Sequence, residues 1–221
     1  MQRAFRAGVA LSLLAVTAAA GEIPEAIVAL EVAAPPTPGR APEAAPLRFA
    51  LLPDYTVYVG GSSELSSARL DKDDFKDIEK QISRVRKLPG LGSSATFSPG
   101  GRHYRLILKK GPTILASGDP AQAPAQFRPL AELLQMLEGF DHPALRPYRP
   151  QQFALLVQTA TLAGGCRLWT FGAPPGTGSV TRSVTAEAAS DWPTGATPAS
   201  VCSGDKTYVV ALRPLVPGER P

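Results

Sequence analysis

Cys166 and Cys202 are the two cysteines of this 221-residue chain, and their chemistry depends on the compartment in which it folds. In an oxidising compartment an even pair reads as a disulfide. Closing a loop of this size would stabilise the fold by about 4 kcal/mol in the chain-entropy view, less any strain. Two free buried thiols are the alternative. A zinc site would need His103 and His142, the only histidines. The four residues show neither C-x-x-C nor H-x-x-x-H spacing, so no metal is expected.

Three other chemistries can be tested against the residues. Ala173-Pro174-Pro175-Gly176-Thr177-Gly178-Ser179-Val180 approaches the phosphate loop G-x-x-x-x-G-K-[ST]. It has Ala173 for the leading glycine, Ser179 for the lysine and Val180 for the metal-binding hydroxyl, so it lacks the groups that hold phosphate and Mg²⁺. It reads as a loop, and no cofactor is expected. Nucleophilic catalysis needs a Ser or Cys, a base and an orienting group. There is no G-x-S-x-G, and Gly60-Gly61-Ser62-Ser63 and Gly92-Ser93-Ser94 are ordinary turn chemistry. A carboxylate pair is the third option. Asp71, Asp73, Asp74, Asp77 and Glu79 cluster, but a helix start and its solvated face account for them. Glu64, Glu132 and Glu138 show no spacing pattern. No catalytic residue is assigned.

Aromatic residues offer a binding chemistry instead. Trp169, Phe171 and Trp192 all fall inside or beside the Cys166–Cys202 loop. They either pack on the bridge as core or form a rim that takes a ligand or partner.

The elements that position these residues begin after an export address. Arg3 and Arg6, the apolar run 7–16 and Ala18-Ala19-Ala20 follow the signal-peptide pattern, with cleavage expected before Gly21. The apolar run is shorter than the roughly 20 residues that span a bilayer, and an uncleaved anchor is the alternative. Of 23 basic residues, Arg3 and Arg6 leave with that segment, so 21 remain against 19 acidic. That balance, with Arg84-Val85-Arg86-Lys87 as its densest basic run, excludes a nucleic-acid stripe. The chain has no asparagine, so its turns rely on Gly, Pro, Asp and Ser.

Residues 21–46 hold a strand over 27–32 and a Pro/Ala-rich stretch. Residues 47–221 are expected to form a single α+β domain. Within it, 47–145 spell two strand-strand-helix units and 146–221 a disulfide-clipped, β-rich segment. A strand is expected over 47–59, with Tyr55, Val57 and Val59 on one face and Thr56 and Tyr58 on the other. Asp71 caps a helix with a Phe75, Ile78, Ile82, Val85 stripe and basic residues in its last turn. A hairpin turns at Gly111-Pro112. The second helix presents Leu130, Leu133, Leu134 and Leu137. Strands follow over 153–157, 166–171 and 207–213, with a weak helix over 180–189.

Several segments together resemble a family of exported, uncharacterised proteins of high-GC bacteria. They are Leu52-Pro53-Asp54-Tyr55-Thr56-Val57-Tyr58, Gly100-Gly101-Arg102-His103-Tyr104, Pro147-Tyr148-Arg149-Pro150 and the ending Thr207-Tyr208-Val209-Val210-Ala211-Leu212-Arg213-Pro214-Leu215-Val216-Pro217-Gly218-Glu219. Relatives often carry Asp-Gly where this chain has Gly60-Gly61. The resemblance covers residues 26–219 and implies export and an α+β layout, with no transferable activity, cofactor or site. The expectation is a monomeric α+β protein: antiparallel sheets with both helices on one face. It would be secreted or in the cell envelope, without a membrane span after cleavage, and bind an unknown protein or envelope ligand. A cell-envelope hydrolase with a spatially assembled carboxylate/His site is the competing reading.

Overall fold

In the computed structural model, the residues described are 23–34, 47–60, 64–89, 92, 94–160, 166–174, 178–192 and 195–221. The signal-peptide expectation and most of the Pro/Ala-rich stretch lie outside them. Strand β1 (Val28–Ala33) points Val28 and Leu30 to one face and Ala29 and Glu31 to the other. β2 (Leu47–Leu51) and β3 (Thr56–Gly60) form a hairpin, so the single strand expected over 47–59 is in fact two. The turn between them is chemical in origin. Asp54 accepts hydrogen bonds from the Thr56 N–H at 3.0 Å and its hydroxyl at 2.9 Å, and Tyr55 takes φ of 70°. Backbone bonds of this kind to a carboxylate also hold the Asp54 pKa below its ordinary value.

β4 (Leu65–Arg69) leads to α1 (Lys72–Arg86), whose N-cap is Asp71. Its carboxylate accepts from the N–H groups of Asp73 and Asp74 at 2.8 and 2.9 Å, which lowers its pKa. β5 (Ser94–Thr96), β6 (His103–Leu108) and β7 (Thr113–Ser117) precede α2 (Arg128–Glu138). β8 (Arg146–Tyr148) completes an eight-stranded sheet in the order β5-β7-β6-β1-β2-β3-β4-β8. All its pairs are antiparallel except β5 with β7. Ile78, Ile82 and Val85 of α1 and Leu130, Leu133, Leu134 and Leu137 of α2 bury against one face with Leu30, Phe49, Val57 and Leu106. The apolar stripes read from the sequence are therefore the faces that pack.

The second sheet has five strands. β9 (Gln152–Ala160) is an interior strand beside the edge strand, β10 (Arg167–Leu168) is two residues long, and β11 (Ser179–Thr185) is followed by the single-turn α3 (Ala186–Ala189). β12 (Gly195–Ser203) and β13 (Lys206–Pro214) complete the order β10-β12-β13-β9-β11. Only β10 with β12 is parallel. Two expectations are corrected here. Residues 180–185 are strand, because β-branched Val180, Thr181, Val184 and Thr185 favour pairing with β9 over a helix. The 166–171 strand ends at Leu168, where the chain turns away. The fold is α+β, with the Cys166–Cys202 disulfide in its C-terminal part.

The back of the large sheet is closed by the chain's end. Val216 packs with Ala29, Ala50 and Tyr58. Arg213 and Glu219 flank it as a buried ion pair at 2.6 Å. Glu219 also accepts the Val216 N–H at 3.0 Å. On β1, Glu31 is 4% exposed and meets Arg105, its cross-strand neighbour on β6, at 3.2 Å.

Candidate functional site

β10 and β12 lie side by side, with Leu168 in register with Cys202, so the disulfide reinforces a two-residue ladder. Past it the Trp169 N–H still donates to the Cys202 carbonyl at 3.0 Å. The turn that follows is held by side chains. The indole Nε1 of Trp169 donates to Gly172 O at 2.6 Å, and that of Trp192 to Thr170 Oγ1 at 3.1 Å. Arg182, reaching from β11, donates to the carbonyls of Phe171 and Ala173. Its guanidinium lies over the Trp169 ring at 5.2 Å, and that of Arg167 over Trp192 at 5.7 Å.

The aromatic rings form one chain. Trp169 meets Phe171 edge-on at 5.6 Å and Tyr208 at 5.5 Å, and Phe171 meets Trp192 at 4.6 Å. Phe171 and Trp192 are each 8% exposed and belong to the core of the second sheet. Trp169 is half-buried. Of the three residues singled out by sequence, only Trp169 offers surface. Beside it stands Leu168, 80% exposed, the most exposed large apolar side chain among the described residues. Sequence reasoning passed over Leu168 and Arg167. Their signal was the two-residue alternation that puts Leu168 on the face opposite Trp169.

Removing the bridge in a Cys166→Ser, Cys202→Ser variant should cost about 2–4 kcal/mol. Denaturant midpoints with and without reductant would measure it. Wild type should fall to the variant's midpoint when reduced, and the variant should not respond.

The other chemistry-bearing residues are occupied structurally. Ala144 N–H donates to His142 Nδ1 at 3.2 Å, so the ring's Nε2–H faces Asp74 of α1 at 3.0 Å. His142 thus ties the segment after α2 to the start of α1. His103 is exposed at the start of β6, apart from it. A cleft of about 430 Å³ is lined by Arg48, Glu64, Ser66, Phe140, Asp141 and Leu145. It gathers two carboxylates and no histidine. Arg48 is drawn off to Glu138 O at 2.7 Å and Gly60 O at 3.2 Å. Asp73 pairs with Lys76, and Arg84 with Glu132. In the near-phosphate loop, residues 175–177 lie outside those described, and Gly178 N–H donates to Thr159 Oγ1. Among the described residues, no three His, Cys, Asp or Glu side chains converge as a metal site, and no helix is long and apolar enough to cross a membrane. Comparisons with protein-family models, curated proteins and solved structures found no match.

Proposed function

We propose that this chain is an exported protein that works by binding a partner protein in an extracytoplasmic space, through the rim formed by Arg167, Leu168 and Trp169. The exposure of Leu168 carries this reading. An apolar side chain left in water on an edge strand, flanked along the chain by an exposed arginine and a half-open tryptophan on its other face, is the composition of a docking point. The disulfide and the Arg182 and indole hydrogen bonds hold the rim rigid, which reduces the ordering cost of binding. Export is supported by the leader pattern and by the disulfide. Kinship with the exported high-GC family remains part of this proposal. The hydrolase reading is weaker, because the cleft joins Glu64 and Asp141 to Arg48 and leaves His142 engaged elsewhere.

Leu168→Asp is the informative variant. The side chain touches little, so the melting temperature should stay within about 2 °C, as for surface changes of under 0.5 kcal/mol. Affinity capture from the host's own envelope fractions should retain a partner with wild type and lose it with Leu168→Asp. An identical captured set from both proteins would overturn the rim.

A further inference from the structure

The two sheets end on four edge strands. β5 and β8 have three residues each and β10 has two, lengths that offer little template to another strand. β11 has seven residues and stands at the end of its sheet. It contains no proline or lysine. Its one charge, Arg182, is turned back over Trp169 to the Phe171 and Ala173 carbonyls. Among the described residues, no further strand pairs with it and no bulge interrupts its register.

The backbone groups that face outward can be assigned. Thr159 N–H donates to Gly178 O and Ala186 N–H to Gln151 O, at the two ends of a continuous antiparallel register. Alternation along the ladder then turns residues 180, 182 and 184 toward β9 and residues 179, 181, 183 and 185 outward. Among the described residues, no other backbone group bonds to the outward groups of Thr181 and Ser183, while the Thr185 carbonyl opens the first turn of α3. The strand itself reads Ser-Val-Thr-Arg-Ser-Val-Thr, nearly the same in both directions.

We propose that β11 is a dimerisation edge, to which a second copy of this chain adds its own β11, antiparallel, about a twofold axis at Arg182. In that register Val180 faces Val184 of the second copy, Thr181 faces Ser183, and Ser179 faces Thr185. The outward-facing residues become the hydrogen-bonded pairs. The valines become the closer, non-hydrogen-bonded pairs, where side chains meet best. A twofold axis at Thr181 or Ser183 would set a valine against Arg182. One set between residues would match outward-facing groups with inward-facing ones. Val180 is 39% exposed at the free edge and is covered in the dimer. The two Arg182 backbones meet at the axis, but each guanidinium is drawn to its own Trp169 loop, which relieves the like-charge contact. The result is a continuous ten-stranded sheet with both Trp169 rims on one face. It replaces the monomer expected from the sequence and stands whether or not the rim binds a partner.

Sedimentation equilibrium across the micromolar range should give twice the chain mass for wild type. A Thr181→Lys, Ser183→Lys variant should sediment as a single chain with an unchanged circular dichroism spectrum, because neither side chain is buried. In a Val180→Cys, Val184→Cys variant, mild oxidation should link two chains. The two positions lie about 13 Å apart on one strand and cannot bridge within a chain. A wild type that stays single throughout would overturn the proposal. So would a dimer unaffected by the lysines, or one whose introduced cysteines fail to join two chains.

Discussion

Replacing Arg213 with methionine is expected to remove about 3–5 kcal/mol of folding stability, the range found when one member of a buried ion pair is deleted. Domains of this size have roughly 5–15 kcal/mol in total, so the loss would be a large share. Arg213 is 7% exposed and Glu219 1%, with 2.6 Å between them. Without the guanidinium, the Glu219 carboxylate stays buried with the Val216 N–H as its remaining hydrogen-bond donor among the described residues. Glu31 also loses a nearby positive charge. The second variant distinguishes charge from packing. Adding Glu219→Gln to Arg213→Met keeps an acceptor for Val216 N–H and removes the unpaired charge, so much of the loss should return. Urea denaturation of the two variants measures this. Equal midpoints for the single and double variants would mean that the stem of Arg213, and not its charge, holds the chain's end in place.

The residues of this cluster show why parts of the molecule were legible and parts were not. α1 could be read because its determinants are local: Asp71 caps it, and Ile78, Ile82 and Val85 repeat at helical spacing. α2 follows the same logic. The β2–β3 hairpin was hidden because alternation runs on through Tyr55, and only the Asp54 side-chain bonds show that the chain reverses there. β11 was hidden because Ser and Thr weaken a helix without declaring a strand, and its pairing partner β9 lies over twenty residues away. Phe171 and Trp192 were read as possible surface, because burial in the second sheet depends on β12 and β13 packing over them. Arg182 was missed as the clamp of the Trp169 turn for the same reason. Glu31, Arg105 and the Arg213–Glu219 pair come from the beginning, middle and end of the chain, and no local pattern links them. A lone Glu within Val28-Ala29-Leu30-Glu31-Val32 was the one available hint.

Stability should therefore rise as the solution is acidified from pH 8 toward pH 5, opposite to the usual effect of a buried ion-paired carboxylate. Glu31 lies beneath Arg105, with Arg213 and Glu219 as the other charges near it. Burial is the largest influence on its carboxyl. It outweighs the attraction and hydrogen bond of Arg105 and the attraction of Arg213, is aided by repulsion from Glu219, and raises the pKa from 4.5 to about 7. Between those two values the folded protein holds a proton that the unfolded chain has released. Stability from this group is complete below pH 4.5 and is lost as pH rises through about 7. The full difference is about 3 kcal/mol, at 1.36 kcal/mol for each unit of pKa. Asp54 and Asp71 act in the opposite direction, since their lowered values withdraw stability only below their ordinary range near 3.8. Glu31→Gln isolates the effect. Its melting temperature should match wild type near pH 5, exceed it at pH 8, and lack the fall between them. In Arg213→Met the fall should move to lower pH-independent stability but higher pH, because an attraction that favours the charged carboxylate is gone. A wild type and Glu31→Gln variant with parallel melting profiles from pH 5 to 8 would show that Glu31 is ionised throughout and that Arg105 and Arg213 together compensate its burial.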